Sequence, residues 1–208
     1  MNTNSKFVIT VNREFGSSGH KIGAILAEKL GVKMIDKEVL KATAEKFNVS
    51  EDVIDKIEKR RPSWWEDFAK FYESFVEVNE YYTGVSTEIT SRQLFVIESN
   101  IIKDIAAEES CVVIGRSAFD IFCDTPNTLK VFLHADIGVR IKTIMQKFKI
   151  DEDDARNMIE DNDYQRELFT KTFTGKDRYD ARNYDVCLDV GELGVEETVK
   201  TILDLIKI

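Results

Sequence analysis

A turn rich in glycine and serine lies near the start of the chain, between an apolar run and a helical pattern. The apolar run over residues 7–11 predicts a buried strand, and the pattern after the turn predicts a helix that ends at Gly31. The first N–H groups of a helix have no acceptor within it, and the helix dipole favours negative charge there. This turn is therefore a candidate site for binding a phosphate group.

The residues of this turn supply both backbone freedom and positive charge. Glycines let the backbone approach a phosphate closely, serine hydroxyls can donate hydrogen bonds to it, and basic side chains surround the turn. The candidate phosphate-binding residues are Arg13, Gly16, Ser17, Ser18, Gly19, His20 and Lys21. The alternative interpretation is a tight turn whose glycines only allow the helix to pack closely.

The turn departs from the usual P-loop pattern, G-x-x-x-x-G-K-[ST]. When the pattern is read without gaps from the helix, Gly19 falls at the position of its lysine. A cation that bridges the β- and γ-phosphates of a nucleotide must then come from Lys21, which requires a remodelled loop, or from Arg13. The sequence does not choose between them.

Two further candidates come directly after predicted strands. Ligands bind at the carboxyl ends of the strands in open α/β sheets, so both are expected near the same crevice. Arg116 follows the apolar run over 111–114 and is a candidate to hold the phosphate of an acceptor, or else is a surface arginine. Asp36 is a candidate to bind Mg²⁺ through water or to polarise an acceptor group. Alternatively, it caps the helix predicted over 37–47.

A charged stretch over residues 151–182 precedes the last predicted strand. It holds the basic residues Arg166, Lys171, Lys176, Arg178 and Arg182 among many acids, and the planar guanidinium group of arginine matches the oxygens of a phosphate. The alternative interpretation is a solvated surface helix.

Strands and helices alternate along the chain. Strands are predicted at 7–11, 32–35, 111–114, 129–134 and 185–190, and the later helices at 88–108, 137–149 and 195–206. This alternation predicts an α/β fold in which helices cover both faces of a parallel sheet. The length of 208 residues predicts one domain.

An aromatic stretch over residues 62–82 does not fit this alternation. Its aromatic side chains recur every three or four residues, which predicts an amphipathic helix that begins at Pro62. Three interpretations stay open: a lid over a substrate, the face of a homodimer, or a helix that packs on the protein's own core.

The composition argues against several classes of partner. The chain has 29 Lys and Arg against 38 Asp and Glu, a net charge of −9, which disfavours a nucleic-acid partner but permits a local basic pocket. No apolar run is long enough to span a membrane, and no signal peptide is evident, so we expect a cytoplasmic protein. The cysteines and histidines lie in no metal-ligand spacing, so no metal site formed by these side chains is predicted.

Four segments of the sequence together resemble the cytidylate kinase-like family, a divergent branch of the P-loop nucleoside monophosphate kinases. These segments cover most of the chain: VITVNREFGSSGHKIGAILAEKLGVKMIDKE, VVIGRSAFDIF, VFLHADIGVRI and FTKTFTGKDRYDARNYDVCLDVGELGVEETV. The resemblance implies a single P-loop kinase-like domain over 1–208. It implies a five-stranded parallel sheet with a helical acceptor-side insertion over 50–87 and a helical lid over 151–182.

The resemblance also implies a reaction, with ATP and Mg²⁺ as the donor and a nucleoside monophosphate such as CMP as the acceptor. In such a reaction a mobile lid excludes water during phosphoryl transfer. Arg166 is then the leading catalytic candidate, beside Lys21 and Asp36, and the supporting lid residues are Lys171, Lys176, Arg178 and Arg182.

Two positions differ from cytidylate kinases proper. Lys37 follows Asp36 where those enzymes have a serine that helps bind the nucleotide, and Ser117 follows Arg116 where they have an aspartate that helps read cytosine. Lys37 and Ser117 complete the candidate acceptor site, but cytosine is not fixed as the base.

The leading hypothesis is therefore a small phosphotransferase. One alternative is a protein that binds a nucleotide or phosphorylated metabolite without turning it over. Another is an interaction module built on the aromatic helix over 62–82.

Overall fold

The computed structural model describes residues 1–36 and 91–206. The predicted helix over 37–47, the insertion over 50–87, the aromatic helix over 62–82 and the candidate residue Lys37 lie outside this part of the chain. The strands are β1 (Val8–Arg13), β2 (Lys33–Ile35), β3 (Cys111–Ile114), β4 (Thr128–His134) and β5 (Val186–Asp189). The helices are α1 (Gly19–Leu30), α2 (Ser91–Glu108), α3 (Ala118–Ile121), α4 (Ile137–Phe148), α5 (Glu152–Thr174) and α6 (Val190–Ile206).

The five strands form one parallel sheet in the order β2-β3-β1-β4-β5. The first strand lies at the centre, where Val11 pairs with Ile114 of β3 on one side and with Val131 of β4 on the other. The predicted five-stranded parallel sheet is confirmed. Because all strands run the same way, the turns that follow β1 and β3 lie side by side at one edge of the sheet.

Helices cover both faces of the sheet, which explains the unbroken apolar runs in the strands. On one face, Ile9 and Val11 pack in a core with residues of α1 and α6. On the other face, Val8 and Val113 pack with residues of α2. Each fully buried aliphatic side chain contributes about 1.5–3 kcal/mol to folding, so this two-sided core fixes the strand ends that carry the site.

The charged stretch over 151–182 is mostly one long helix. The carboxylate of Asp151 accepts a hydrogen bond from the N–H of Asp154 and so caps the start of α5. The helix ends at Gly175, whose φ of 71° is in the left-handed region.

The last helix begins earlier than its hydrophobic pattern predicts. It starts at Val190 instead of 195, because the Asp189 carboxylate accepts hydrogen bonds from the N–H groups of Gly191 and Glu192. Gly194, with a φ of 72°, interrupts it. None of the helices within residues 1–36 and 91–206 is long and apolar enough to span a membrane.

Candidate phosphate-binding site

The glycine-rich loop between β1 and α1 has a backbone that leaves the first N–H groups of the helix available to a ligand. Gly16 and Ser18 have positive φ values of 87° and 59°. The N–H of Ile22 donates to the carbonyl of Ser18, so the earlier N–H groups of this turn have no acceptor within the helix. The Ser18 side chain does not cap them, and the first turn has no acidic residue. The loop therefore presents unblocked donors of the kind that bind phosphate.

Ser17 has a different role from the one predicted. Its side chain is buried, and both its hydroxyl and its N–H donate to the carbonyl of Glu14. The expectation that this hydroxyl faces a phosphate is thus corrected, because the group closes the turn instead. Ser18, which makes no such bond, remains the serine available to a ligand.

The side chain of Arg13 crosses the loop. A Cβ atom placed on Gly19 would lie 2.7 Å from Cγ of Arg13, and one placed on Gly115 would overlap its Nη1. The side chain therefore runs over the first residue of α1 and ends beside the turn that follows β3.

Three more arginines reach the backbone of the same loop from α4, α5 and the segment after α5. Arg178 Nη2 lies 2.6 Å and Arg166 Nη1 3.1 Å from the carbonyl oxygen of Arg13, to which both donate. Arg140 donates to the carbonyl of Phe15 at 3.3 Å. The segment predicted as a lid thus lies against the candidate phosphate loop.

Asp163 lies at the centre of these arginines. Its Oδ2 accepts from Arg140 at 2.6 Å, and its Oδ1 accepts from the N–H of Phe15 at 2.9 Å. The same Oδ1 lies 3.8 Å from Nη1 of both Arg166 and Arg178. Asp163 is only 9% exposed, so its carboxylate is a buried anion that joins the loop to α5.

The charges around the loop favour an anionic ligand. Four guanidinium groups, including that of Arg13, lie against or beside it. Those of Arg140, Arg166 and Arg178 face the carboxylate of Asp163. The Oε2 atom of Glu14 is also 3.5 Å from Arg140 Nε. Guanidinium groups thus outnumber these two carboxylates at this loop, although the whole chain carries a net charge of −9.

Tyr184 fixes the position of Arg178. Its hydroxyl donates to the carbonyl of Arg178 at 2.7 Å and accepts from Nδ2 of Asn12 at 3.1 Å. Burial raises the pKa of Tyr184 to about 12. The neutral phenol therefore braces this arginine across the ordinary pH range.

The other predicted lid cations lie elsewhere. Lys176 pairs with Asp120 at 2.7 Å, and this hydrogen bond raises the pKa of Lys176. Lys171 donates to the carbonyl of Gly175 at the end of α5. Arg182 is exposed and pairs with its neighbour Asp180, whose pKa it lowers to about 2. Of the five predicted lid residues, the structure brings Arg166 and Arg178 to the loop.

At the start of α1, His20 and Lys21 differ in their surroundings. His20 Nε2 lies 3.3 Å from Oδ2 of Asp36, so this pair joins α1 to the end of β2. Lys21 is exposed, and within the described ranges it has neither a hydrogen bond nor an ion pair. Neither the described side chains near Asp36 nor any others in these ranges form a group of three or more His, Cys, Asp or Glu that could hold a metal ion.

The turn after β3 has an unusual backbone. Gly115, Arg116 and Ser117 have successive positive φ values of 72°, 58° and 50°. Arg116 is 7% exposed and lies 3.3 Å from Oε2 of Glu98 on α2, so the interpretation as a surface arginine is wrong. The hydroxyl of Ser117 bonds to that of Thr170 on α5 at 3.1 Å.

Sequence reasoning missed two residues of this charged cluster, Arg140 and Asp163. Arg140 lies inside one of the four recognised segments, VFLHADIGVRI, but nothing there sets it apart from an ordinary helix residue. Asp163 is one acid among many in a charged helix. Their importance comes from the packing of α4 and α5 on the loop, which no local pattern encodes.

Known proteins of similar structure share this arrangement of strands and helices. An uncharacterized protein from Eubacterium ventriosum ATCC 27560 superposes with a TM-score of 0.71 at 24% identity, over 97% of this chain and 98% of that one. A gluconokinase from Sinorhizobium meliloti 1021 has a TM-score of 0.52 at 17% identity, over 97% and 94% of the two chains. For a shikimate kinase from Bacteroides thetaiotaomicron the values are 0.51 and 15%, over 97% and 99%.

These similarities show the fold of the P-loop kinases. No curated protein matches the sequence. The sequence model of the cytidylate kinase-like family matches residues 8–192, which is most of the chain and includes the loop, the arginines and Asp163. The protein belongs to the cytidylate kinase-like family.

Proposed function

We propose that the protein is a phosphotransferase that moves the γ-phosphoryl group of ATP, bound with Mg²⁺, to a nucleoside monophosphate such as CMP or to a similar small acceptor. The observation that carries this proposal is the open start of α1 with four guanidinium groups around its loop. Phosphoryl transfer requires positioning and neutralisation of charge more than covalent chemistry, and this site offers both. Membership of a kinase-like family supports it.

The residues of the loop fit the polyphosphate of ATP. The unblocked N–H groups of the first turn would bind phosphate oxygens, and the hydroxyl of Ser18 would add a donor. Gly16 lets the backbone turn, since its φ of 87° suits glycine and a Cβ there would lie 3.0 Å from the backbone oxygen of Arg140. When bound, ATP supplies the transferable phosphoryl group.

Magnesium would be held mainly by the ligand. Mg²⁺ keeps several waters and commonly binds through one or two carboxylates together with phosphate oxygens. Asp36, at the carboxyl end of β2, is the carboxylate that we assign to this role, through water. Its pairing with His20 at 3.3 Å would hold it in place.

The acceptor would bind beside the turn after β3. Arg116 carries a charge that is almost fully removed from solvent and is held by Glu98, which suits a group that recognises a single phosphate. Ser117 and Lys37 complete this proposed acceptor site.

Helix α5 would act as the lid. Arg166 is the proposed catalytic arginine, because its guanidinium group already lies at the loop, 3.1 Å from a backbone carbonyl and 5.3 Å from the ring of Phe15. A guanidinium group in this position would neutralise charge on the transferring phosphoryl group.

The first experiment titrates ATP by calorimetry with and without Mg²⁺, then measures phosphoryl transfer to CMP and the other nucleoside monophosphates. We expect Mg²⁺-dependent binding and transfer to at least one acceptor. Replacement Arg166→Ala should lower kcat by about a hundredfold or more. Arg156→Ala, an exposed arginine of the same helix paired with Glu152, should leave kcat unchanged. Absence of transfer to every acceptor would contradict the proposal.

The alternative, a protein that binds a nucleotide without catalysis, has one observation in its favour. Gly19 stands at the position of the P-loop lysine. Mg²⁺-dependent binding of ATP without transfer to any acceptor would support it, whereas transfer that disappears in Arg166→Ala would exclude it.

A further inference from the structure

We infer that Arg13 delivers the positive charge that lysine delivers in an ordinary P-loop, and that position 19 is a glycine because the Arg13 side chain crosses it. The inference rests on the proposed function for its ligand, the polyphosphate chain of ATP. It also favours Arg13 over Lys21, the two cations that the sequence left as alternatives.

Gly19 is explained by the space that Arg13 occupies. The φ of Gly19 is not among the positive values, so the backbone does not demand a glycine there. A Cβ at this position would instead lie 2.7 Å from Cγ and 2.8 Å from Cβ of Arg13. The Cβ atom is fixed to the main chain and cannot swing away, so any side chain at position 19 requires Arg13 to move.

The far end of the Arg13 side chain lies where a bridging cation is needed. Its guanidinium group is beside Gly115, at the carboxyl end of β3, while its stem lies over the start of α1. The charge therefore stands between the phosphate loop and the turn that carries Arg116. This is the crevice in which open α/β sheets bind their ligands.

Lys21 does not fit the same role. An α-helix turns about 100° per residue, so position 21 projects about 200° around α1 from position 19. Lys21 is exposed, and in the part of the chain that the structure describes it contacts no partner through a hydrogen bond or ion pair. Its charge lies on a different side of the helix from the Arg13 side chain.

An arginine in the role of the P-loop lysine also makes a different kind of contact with phosphate. Lysine offers a point charge, whereas a guanidinium group can donate two parallel hydrogen bonds to phosphate oxygens. The Arg13 backbone has a separate task, because its carbonyl accepts from Arg166 and Arg178. Replacing the side chain therefore leaves the acceptor for both α5-side arginines in place.

The test measures binding of two probes, ATP with Mg²⁺ and inorganic tripolyphosphate. Arg13→Ala should weaken both by about tenfold to a hundredfold, the value of a charge-assisted hydrogen bond. Gly19→Ala should weaken them similarly, because its Cβ would overlap Cβ and Cγ of Arg13 and force this residue out of position. Lys29→Ala removes an exposed cation from the last turn of α1 and should change neither. Thermal unfolding of each variant establishes that it is folded.

The decisive variant exchanges the two positions. Arg13→Gly combined with Gly19→Lys rebuilds an ordinary P-loop lysine and should recover binding to within a few-fold of the natural protein. Arg13→Ala that binds as the natural protein does, or Lys21→Ala that loses binding in its place, would overturn the inference and leave the proposed function standing. Failure of the natural protein to bind either probe would overturn both.

Discussion

Two turns at the same edge of the sheet have similar backbones and different surroundings. The loop after β1 and the turn after β3 both lead from a buried strand into a helix. In each, a serine with positive φ precedes the helix, Ser18 and Ser117, and neither side chain caps it. The loop opens a helix of 12 residues, whereas the turn opens one of four.

The surroundings decide what each turn can bind. At the loop, guanidinium groups outnumber the two carboxylates beside them. At the turn after β3, Arg116 faces Glu98 and the Ser117 hydroxyl is bonded to Thr170. A left-handed serine before a helix is therefore not a phosphate site by itself. We propose that it becomes one where the helix is long and the packed neighbours bring an excess of positive charge.

The largest effect is expected from breaking the charge balance at the loop. Asp163→Asn keeps the shape of the side chain but removes the anion that three guanidinium groups share. It should lower the free energy of unfolding by about 3–5 kcal/mol, measured by urea denaturation. Asp161→Asn removes an exposed charge from the same helix and should cost less than about 0.5 kcal/mol. Equal losses of unfolding free energy in Asp163→Asn and Asp161→Asn would show that the ion pairs around Asp163 add nothing to stability.

A smaller effect tests whether Arg13 links the two turns. Gly115→Ala and Gly175→Ala both place a Cβ at a φ near 70°, and each should cost about 1–2 kcal/mol of stability. At Gly175 no atom lies within 4 Å of that Cβ, whereas at Gly115 it meets Arg13. Only Gly115→Ala should also weaken tripolyphosphate binding in calorimetry. Unchanged tripolyphosphate binding in Gly115→Ala would show that Arg13 does not link the two turns.

A still smaller effect is expected at the turn after β3. Ser117→Ala removes the partner of the buried Thr170 hydroxyl and should cost about 1 kcal/mol. Thr170→Val in the same chain should recover part of that loss, because no unpaired hydroxyl remains. Both variants should bind tripolyphosphate as the natural protein does. A tenfold loss of affinity would mean that this turn also binds the donor.

The smallest effect appears only in alkaline solution. The pKa of Tyr184 is raised to about 12 by burial, whereas an unfolded tyrosine titrates near pH 10. From about pH 10 upward the unfolded chain loses this proton first, so the free energy of unfolding should fall with pH and stay level below. Denaturant titrations should show a shallower fall for Tyr184→Phe. An identical slope would indicate that another group causes it.

The strands could be predicted because a strand that is buried on both faces appears in the sequence as an unbroken apolar run. The run over 111–114 matches β3, and the bounds of the other four strands differ from the predicted ones by no more than two residues at either end. The predicted helix over 195–206 matches the part of α6 after the interruption at Gly194. The segment of α6 before Gly194 was missed, because the side-chain cap at Asp189 begins it outside the apolar pattern.

Residues of the site could be predicted only where the residue type alone indicates phosphate binding, as it does for arginine. Arg166 and Arg178 stood out as arginines in a candidate lid, and the structure places both at the loop. Lys176 and Arg182 were predicted in the same lid but do not reach the loop. Lys176 pairs with Asp120, and Arg182 pairs with Asp180. Which cation of a charged segment reaches a distant loop is set by the packing of helices.

The hydrogen bond from the N–H of Phe15 to Asp163 gives this molecule a built-in reporter. An amide exchanges its hydrogen with solvent only when its bond opens, and this one opens when α5 separates from the loop. Deuterium uptake at this one amide would therefore time the departure of α5 from the loop, with no added label and no need to know the acceptor.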